Sequence, residues 1–340
     1  MAEISIMKQY LIPFLMLFFG AIQAQDLSYS DKVETIAIGS CNRQDLPQHI
    51  WNAINQHHPD LWIWLGDNIY GDTNDMEVMK AKYEQQKHSE GYSELRKNTR
   101  IIGIWDDHDF GKNDAGNDYA FRMPSRDLMF EFLDVPKESP AWDREGAYQS
   151  YTFGNKGHKV KVILLDARYF RDPIKRENRM YQQNWQGTML GEKQWKWLEN
   201  ELTDSDADLH IIGGGVQFIA TEHRFEKWNN FPKERQRMLD LLVKAQPKHA
   251  FFLSGDRHIS EIAATYVPGY GMTYDFTSSG MTHSYEASTE YNSYRIGKLV
   301  TAKSFGLIQI DWSEARPQVE FFIRRDDNEL IDGPIQVFDQ

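Results

Sequence analysis

Six short apolar runs, each ending in small or polar residues, strongly limit the folds that this sequence can adopt. In chain order they read ETIAIGSC, LWIWLGD, IIGIWDD, KVKVILLDAR, LHIIGGG and HAFFLSGD. Helical patterns lie between them, at residues 47–56, 76–88, 192–202 and 233–244. Because alternating strands and helices are typical of a sheet flanked by helices, these patterns predict an α/β architecture.

The last third of the chain has a different character. The runs TYDFTSS, FGLIQIDW and QVEFFIRR are spaced like antiparallel strands, and no convincing helical pattern separates them. Together with the earlier runs they predict a mixed β-sandwich covered by helices.

The N-terminal segment has the pattern of a secretory signal peptide. Lys8 precedes an apolar run, Tyr10–Phe19, which is too short for a membrane span of roughly 20 residues. Small residues follow it, and Ala24 is the expected cleavage point. We predict a signal peptide over residues 1–24 rather than a buried helix, since Pro13 interrupts the run. The mature protein would then be periplasmic or secreted, with no membrane span.

Length, composition and net charge further limit the domain organisation and the classes of partner that this chain can have. The chain has 340 residues with 41% hydrophobic content, and we expect residues 25–340 to form a single catalytic domain. A formal net charge of −12 without a basic cluster argues against a nucleic-acid or anionic-membrane surface. An anionic substrate would therefore need bound cations, which are usually the largest charges in their sites.

Polar residues with ligand-forming side chains follow four of the predicted strands. Loops beyond the carboxyl ends of such strands converge on one crevice, so these residues are expected to meet there. Taken singly, a carboxylate in this position is usually a turn or cap residue, and a lone cysteine is usually a small apolar filler. Repetition on four strands favours a shared site. The residues are Cys41, Asp67, Asp107, His108, Asp256 and His258.

The chemistry of these residues indicates two different cations. Asp67 and Tyr70 lie three apart and share one side if the chain turns into a helix there. With the thiolate of Cys41 they give three anionic donors, a set suited to trivalent iron, and His258 offers a neutral fourth donor. Asp107 and Asp256 would hold a second, harder divalent ion, with Asp67 bridging the two.

Two cations about 3.5–4 Å apart suit the hydrolysis of a phosphate ester, because they clamp the phosphoryl oxygens and generate a hydroxide from water at neutral pH. His108 is ionisable and next to a predicted ligand, so it is placed to protonate a leaving oxygen or stabilise the charged transition state.

These segments resemble the PhoD-type alkaline phosphatases of the metallophosphatase superfamily. The matching pieces are GSC, GDNIY, WDDHD, LLDARYFRD, LGEKQWKWL and SGDRH, in the order of that family. The resemblance implies a four-layer α/β/β/α sandwich. It also implies a ferric ion on one group of residues and a calcium ion on Asp107 and Asp256, with Asp67 shared. The implied ferric ligands are Cys41, Asp67, Tyr70 and His258.

Further residues are weaker candidates. Asn113 and Asp114 would complete the calcium site. Arg168, whose guanidinium matches phosphate geometry, is expected to contact the substrate, unless it only pairs with Asp166 or Asp172.

Two regions are less specific. Gln217 occupies the place where the wider superfamily often has a metal-binding histidine, and it is expected to be structural or to contact substrate or another ligand. The long polar stretch Tyr169–Leu190 is expected to be a substrate-side or surface loop.

The sequence thus predicts a secreted or periplasmic phosphoesterase that uses Fe³⁺ and Ca²⁺ and a metal-bound oxide or hydroxide to hydrolyse phosphate monoesters or diesters of small molecules. Two alternatives stay open: a phosphodiesterase or phospholipase D-like enzyme, and a non-catalytic exported metal-binding protein. The sequence does not specify the oligomeric state.

Overall fold

A computed structural model of the chain describes residues 27–338, and the predicted signal peptide lies outside them. Within this range there are fifteen strands, seven α-helices and two short 3₁₀-helices, Pro140–Asp143 and Trp228–Asn230. The strands are β1 (Leu27–Tyr29), β2 (Thr35–Gly39), β3 (Leu61–Leu65), β4 (Arg100–Ile104), β5 (Gln149–Phe153), β6 (Val160–Leu164), β7 (Arg176–Glu177), β8 (Met180–Tyr181), β9 (Leu209–Gly213), β10 (Ala250–Ser254), β11 (Glu261–Val267), β12 (Gly271–Thr277), β13 (Ser304–Asp311), β14 (Gln318–Arg325) and β15 (Leu330–Val337). The α-helices are α1 (Ile50–Asn55), α2 (Met76–Lys87), α3 (Glu90–Asn98), α4 (Asp107–Phe110), α5 (Arg122–Phe132), α6 (Gly191–Leu202) and α7 (Pro232–Ala245).

The strands form two large mixed sheets that pack face to face. The first has the order β1-β5-β6-β9-β10-β12-β11, and the second has the order β15-β14-β13-β2-β3-β4. Phe321 of β14 lies 5.0 Å, between ring centroids, from both Phe251 of β10 and Phe276 of β12. The sheets therefore share a core, as a sandwich requires.

Successive residues along the strands of the first sheet alternate between two hydrophobic cores, so both faces of this sheet are covered. In β10, Phe251 and Leu253 belong to the core between the sheets, whereas Ala250 and Phe252 pack in a second core with α6 and α7. The strands β6 and β9 divide in the same way. A strand buried on both faces needs apolar residues at every position, which explains the continuous apolar runs of the sequence.

Helices cover the outer face of the second sheet as well. Trp51 of α1 packs edge-on against Trp62 and Trp64 of β3, with ring centroids 4.9 and 5.3 Å away, and Tyr92 of α3 completes the cluster. With α6 and α7 on the opposite side, the layers are α/β/β/α. The four-layer fold implied by the sequence is confirmed.

The predicted helices agree with the structure to within a few residues, while several elements were not predicted, among them α3, α5 and β5. Pro124 lies inside α5, and α3 contains Gly91, both of which are poor helix formers. Gly91 is needed by packing, since a Cβ there would lie 2.5 Å from the Cβ of Trp51. Tertiary contact thus overrides local preference in α3.

The parallel parts of both sheets position the site. β2, β3 and β4 run parallel, and so do β6, β9 and β10. Their carboxyl ends open onto the same crevice, where the polar residues after the strands meet. Within residues 27–338, no helix has the length and apolar character needed to span a bilayer.

Candidate metal centre

The strand ends deliver four predicted ligands in an unusual backbone conformation. Cys41, Asp67, Asp256 and His258 have φ values of 58°, 50°, 63° and 53°. Non-glycine residues rarely adopt positive φ, and such strained positions are concentrated at functional sites. The sharp turns direct the side chains back over the strand ends, so ligands from β2, β3 and β10 share one space.

Four donors of different chemistry form the sulfur cluster, which consists of Cys41, Asp67, Tyr70 and His258. Asp67 Oδ2 lies 3.3 Å from both Cys41 Sγ and Tyr70 Oη, and Tyr70 Oη lies 3.3 Å from His258 Nε2. Residues 67–70 bend without forming a helix, yet the predicted proximity of Asp67 and Tyr70 is present.

Acidic residues alone form the adjoining carboxylate cluster, which consists of Asp106, Asp107, Asp114, Glu226 and Asp256. One oxygen from each of Asp106, Asp107 and Asp256 lies within 4.8 Å of the others, and Asp107, Asp114 and Glu226 form a second such group. Asp67 and Asp107 also share a group with His108. Asp67 and Asp107 therefore stand where the two clusters meet.

Burial sets the protonation of the sulfur cluster. Desolvation, reinforced by the charge of Asp256, raises the pKa of Cys41 to about 11. Burial and the neighbouring Cys41 also raise the pKa values of Asp67 and Tyr70 well above their ordinary values. The protein groups alone thus favour the protonated forms, and a bound cation would reverse this preference by stabilising the anions.

The carboxylate cluster is less uniform. Burial and the charges of Asp106 and Asp107 raise the pKa of Asp256 to about 8. Burial opposes the ionisation of Asp107 too, but the nearby Arg168 and His108 outweigh it and lower the pKa of Asp107 to about 2. Neighbouring acids are thus driven apart in pKa, a pattern typical of functional sites.

Both clusters fit cations by the geometry and chemistry of their donors. Ligand atoms roughly 2.0–2.3 Å from one ion lie roughly 3–4 Å from one another, as the sulfur cluster atoms do. In the carboxylate cluster, Asp106 Oδ2 is buried and has no hydrogen-bond partner among the described residues. A buried carboxylate oxygen without a donor is costly unless a cation compensates it.

His108 lies at the mouth of the site and is oriented by an aspartate that the sequence patterns did not single out. Its Nδ1 lies 2.8 Å from Asp72 Oδ1, and its ring lies 4.2 Å, between centroids, from that of Tyr70. Burial alone would lower the pKa of His108, but the hydrogen bond with Asp72 and the charges of Asp67 and Asp107 raise it to about 10.

Arg168 lies beneath the crevice and is fully buried. Its Nε donates to Asp106 Oδ1 at 2.6 Å and its Nη1 to Glu226 Oε2 at 2.5 Å, so its side chain pairs with neither Asp166 nor Asp172. Its Nη2 is buried without a partner among residues 27–338. Its contact with substrate stays a prediction, while its position shows that it holds the carboxylate cluster together.

Asp114, Asn113 and Asp109, which lie in or just after α4, differ in their contacts. The backbone N–H of Asp114 donates to Asp107 Oδ2 at 2.7 Å, and its carboxylate accepts a short hydrogen bond from Tyr181 Oη. Asn113 lines the cavity, and its role as a ligand stays a prediction. Asp109 instead braces the loops, since its Oδ1 accepts from the N–H groups of Asp106 and Asp67.

Gln217 is buried and bonded on both sides. Its Nε2 donates to Glu261 and Thr277, and its Oε1 accepts from Arg257 Nε at 3.1 Å. This agrees with the structural role considered for it. The same chain region approaches the carboxylate cluster closely at Gly215, where a Cβ would lie 2.3 Å from Asp106 Cγ.

The clusters open into a polar cavity of about 160 Å³. His108 and residues from both clusters line it, together with Arg176 and Tyr181. The last two belong to the stretch Tyr169–Leu190, which contains the β7-β8 hairpin, so part of this stretch lines the cavity. The cavity is large enough for a phosphoryl group and its cations.

Sequence patterns missed several residues at this site, among them Asp72, Tyr181 and Glu226. Asp72 follows GDNIY by two positions, and extending that motif would have found it. Tyr181 lies in the short β7-β8 hairpin and Glu226 in the long connection after β9, and neither directly follows an apolar run, so no local pattern marks them.

Comparisons with known proteins agree on one family. A family model described as PhoD-like phosphatase matches residues 36–321. "Alkaline phosphatase D" of Bacillus subtilis (strain 168) is 20% identical over 287 residues, covering 73% of this chain and 46% of that protein. The chain thus spans about half the length of this curated relative.

Two solved structures have a similar fold. "Structure of PhoD" matches 91% of this chain and 73% of its own, with a TM-score of 0.68 and 16% identity. "GAP50 the anchor in the inner membrane complex of Plasmodium" matches 91% of this chain and 90% of its own, with a TM-score of 0.60 and 15% identity. At these identities the likeness concerns the fold alone.

Proposed function

The chain belongs to the PhoD-like phosphatase family, and from this premise we propose that it is a metal-dependent phosphoesterase acting on phosphate monoesters or diesters of small molecules. One observation carries the proposal. Two clusters of ligand-type side chains meet at Asp67 and Asp107, beside His108 and under a polar cavity of phosphoryl size.

The donor chemistry supports two different ions. The sulfur cluster offers thiolate, phenolate, carboxylate and imidazole, a set suited to Fe³⁺, with Cys41 as the soft donor. Asp107 and Asp256 offer hard carboxylates suited to Ca²⁺, with Asp67 shared between the ions and Asn113 beside them. Two such ions, when bound, would clamp phosphoryl oxygens and make water nucleophilic at neutral pH.

The chain's own residues supply the proton and the charge balance. Asp72 binds Nδ1 of His108, which leaves Nε2 as the nitrogen available to a substrate in the cavity. In this position His108 protonates the leaving oxygen. Arg168 donates hydrogen bonds to Asp106 and Glu226 in the buried wall, which leaves Nη2 as the nitrogen of its guanidinium that a substrate contact would use.

A substrate panel and a metal analysis test this function. Protein purified without chelators is expected to contain about one iron and at least one calcium per chain, and to hydrolyse p-nitrophenyl phosphate or bis-p-nitrophenyl phosphate. The ratio of the two rates separates a monoesterase from a phosphodiesterase or phospholipase D-like enzyme. Stoichiometric metal without turnover of either ester would instead favour a non-catalytic metal-binding protein.

Colour gives a separate test of the sulfur cluster. Tyrosinate bound to ferric iron absorbs visible light, so the metal-replete protein is expected to be coloured and Tyr70→Phe to lose the tyrosinate charge-transfer band. A colourless iron-loaded wild type would contradict Tyr70 as a ligand. Tyr119→Phe, which removes another buried phenol outside both clusters, is the matched control.

The setting of the enzyme is part of the proposal. We propose that residues 1–24 are removed on export and that residues 25–340 act as one catalytic domain, in the periplasm or outside the cell. N-terminal sequencing of the exported protein is expected to begin at Gln25. A mature protein that keeps the leader would contradict this.

A further inference from the structure

A second, larger cavity adjoins the polar one. It has a volume of about 760 Å³ and is lined by residues 223–225 on one side and 285–290 on the other. Phe225 and Tyr285 line both cavities. A molecule with its phosphoryl group at the clusters would therefore extend past these two rings.

The two rings are arranged as a continuous aromatic wall. Tyr285 stacks on the His258 ring with centroids 4.7 Å apart and an interplanar angle of 14°. Phe225 lies 5.9 Å from Tyr285 at 22°, and the guanidinium of Arg257 lies 4.3 Å from the centroid of Phe225. A flat group bound along this wall would contact ring faces all the way from the sulfur cluster to the larger cavity.

The wall is tied to the loop that carries His258. The backbone N–H of Tyr285 donates to the carbonyl of His258 at 2.9 Å. At the other end, Arg257 Nη2 donates to both carboxylate oxygens of Glu290, at 2.6 and 2.7 Å. Because both ends of the 285–290 segment are anchored there, its position is set relative to the site.

One polar side chain lines the larger cavity without a partner. His223 is 6% exposed, and neither of its ring nitrogens has a hydrogen-bond partner among the described residues. Burial, with Arg257 and Lys227 nearby, lowers its pKa well below the ordinary value. A neutral imidazole has one donor and one acceptor, and burying both without partners is costly.

We propose that this cavity binds the organic substituent of the phosphate ester, and that the substituent is an aromatic ring carrying a hydrogen-bonding group. The ring packs along Phe225 and Tyr285, and its polar group bonds to His223. This inference rests on the proposed phosphoesterase function and assigns its substrate class. The small polar cavity holds the phosphoryl group, while the larger one selects what is attached to it.

Two simple esters with leaving alcohols of similar acidity test the ring. Wild type is expected to hydrolyse benzyl phosphate with a kcat/KM about tenfold or more above that for ethyl phosphate, the usual gain from burying a phenyl ring. In Phe225→Ala and Tyr285→Ala this ratio is expected to fall to within about threefold of one. Tyr266→Ala removes an exposed ring from β11 and is expected to keep the wild-type ratio.

The outcomes separate this inference from the function on which it rests. No hydrolysis of either ester by metal-loaded wild type, alongside none of the p-nitrophenyl esters, would overturn the phosphoesterase function itself. Hydrolysis of both esters at similar kcat/KM, or a ratio unchanged in Phe225→Ala and Tyr285→Ala, would overturn the aromatic site alone.

His223 is tested with a polar substituent on the same ring. Wild type is expected to prefer 3- or 4-(hydroxymethyl)benzyl phosphate over benzyl phosphate by about fivefold, a hydrogen bond of roughly ordinary strength. His223→Phe keeps a ring but removes both nitrogens, and it is expected to lose this preference while keeping the preference for benzyl over ethyl phosphate. No preference in wild type, or its persistence in His223→Phe, would contradict the assigned hydrogen bond.

Discussion

The sulfur cluster has four kinds of donor, whereas the carboxylate cluster has only one. Every member of the sulfur cluster follows a strand end within five residues, on β2, β3 or β10. The carboxylate cluster takes Asp106, Asp107 and Asp256 from strand ends, but Asp114 and Glu226 come from loops. Positive-φ turns hold three of the four residues of the sulfur cluster and two of the five in the carboxylate cluster, Asp114 and Asp256, and the carboxylate cluster is also held by an ion-pair network.

This difference predicts that the sulfur cluster selects one kind of ion, whereas the carboxylate cluster can adjust its coordination. A sulfur cluster fixed by positive-φ turns has little freedom to change its donors, and its thiolate selects a softer ion. The carboxylate cluster depends on Arg168, which spans Asp106 and Glu226, and hard oxygen ligands tolerate variable coordination. We therefore expect the sulfur cluster to hold its ion tightly and the carboxylate cluster to exchange its ion.

Asp67→Asn is expected to have the largest effect, because Asp67 belongs to the sulfur cluster and also groups with Asp107. Loss of a charged ligand shared by two ions removes several kcal/mol of transition-state stabilisation, so kcat/KM for p-nitrophenyl phosphate is expected to fall about a thousandfold or more. Elemental analysis is expected to show loss of both metals.

The matched control for this variant is Asp240→Asn, which changes an exposed aspartate on α7 that accepts a hydrogen bond from Gln236. It is expected to retain activity and metal content. Near-normal activity in Asp67→Asn would contradict the role of Asp67 as a ligand shared by both ions. Loss of one metal only would show that the two clusters bind their ions separately.

Chelation with EGTA tests the contrast between the clusters directly. A chelator with hard oxygen donors is expected to remove the ion at Asp107 and Asp256 and to lower activity roughly a hundredfold, while visible absorption from the sulfur cluster persists. Added Ca²⁺ is expected to restore the activity. Parallel loss of colour and activity would show that the two clusters release their ions together and would contradict their expected difference in ion exchange.

The same contrast explains how much of the site could be predicted from the sequence. Cys41, Asp67, Asp107 and His258 each follow an apolar run that is recognisable without a structure. Glu226 has no such signal, because it reaches the site from the connection between β9 and α7, whose path depends on tertiary packing.

The fold shows a similar division. Strands buried on both faces, such as β3 and β10, carry continuous apolar runs and were predicted from them. The helix α3 was not, since Gly91 disfavours a helix locally and is required by contact with Trp51. Local patterns therefore predict the layers, while contacts between layers determine the elements whose own sequence is ambiguous.

Arg168→Lys is expected to weaken the carboxylate cluster. Lysine keeps the charge but cannot span Asp106 and Glu226 with two nitrogens of a rigid fork, so one buried carboxylate loses a charge-assisted hydrogen bond. The free energy of unfolding, measured by urea denaturation, is expected to fall by about 2 kcal/mol. Calcium affinity is expected to fall in the same variant.

The control for this change is Arg237→Lys, which alters an equally bidentate pair with Glu192 on the surface. Exposed pairs contribute about 0–1 kcal/mol, so little change in stability is expected. Equal effects of the two substitutions on the free energy of unfolding would show that burial does not increase the contribution of the Arg168 network to stability.

Asp72→Asn is expected to have the smallest effect, since it touches neither cluster and acts only through His108. An asparagine retains the size of the side chain but provides a weaker acceptor for Nδ1–H, so the imidazole is less firmly oriented toward the leaving oxygen. We expect kcat to fall about tenfold with KM little changed, because a positioning contact realised in the transition state affects kcat more than binding. Metal content and colour are expected to stay at wild-type levels, and Asp206→Asn, on an exposed ion pair with Lys159, is expected to leave both constants unchanged. If Asp72→Asn instead lost metal, the Asp72 carboxylate would be a metal ligand and not only a positioning residue for His108.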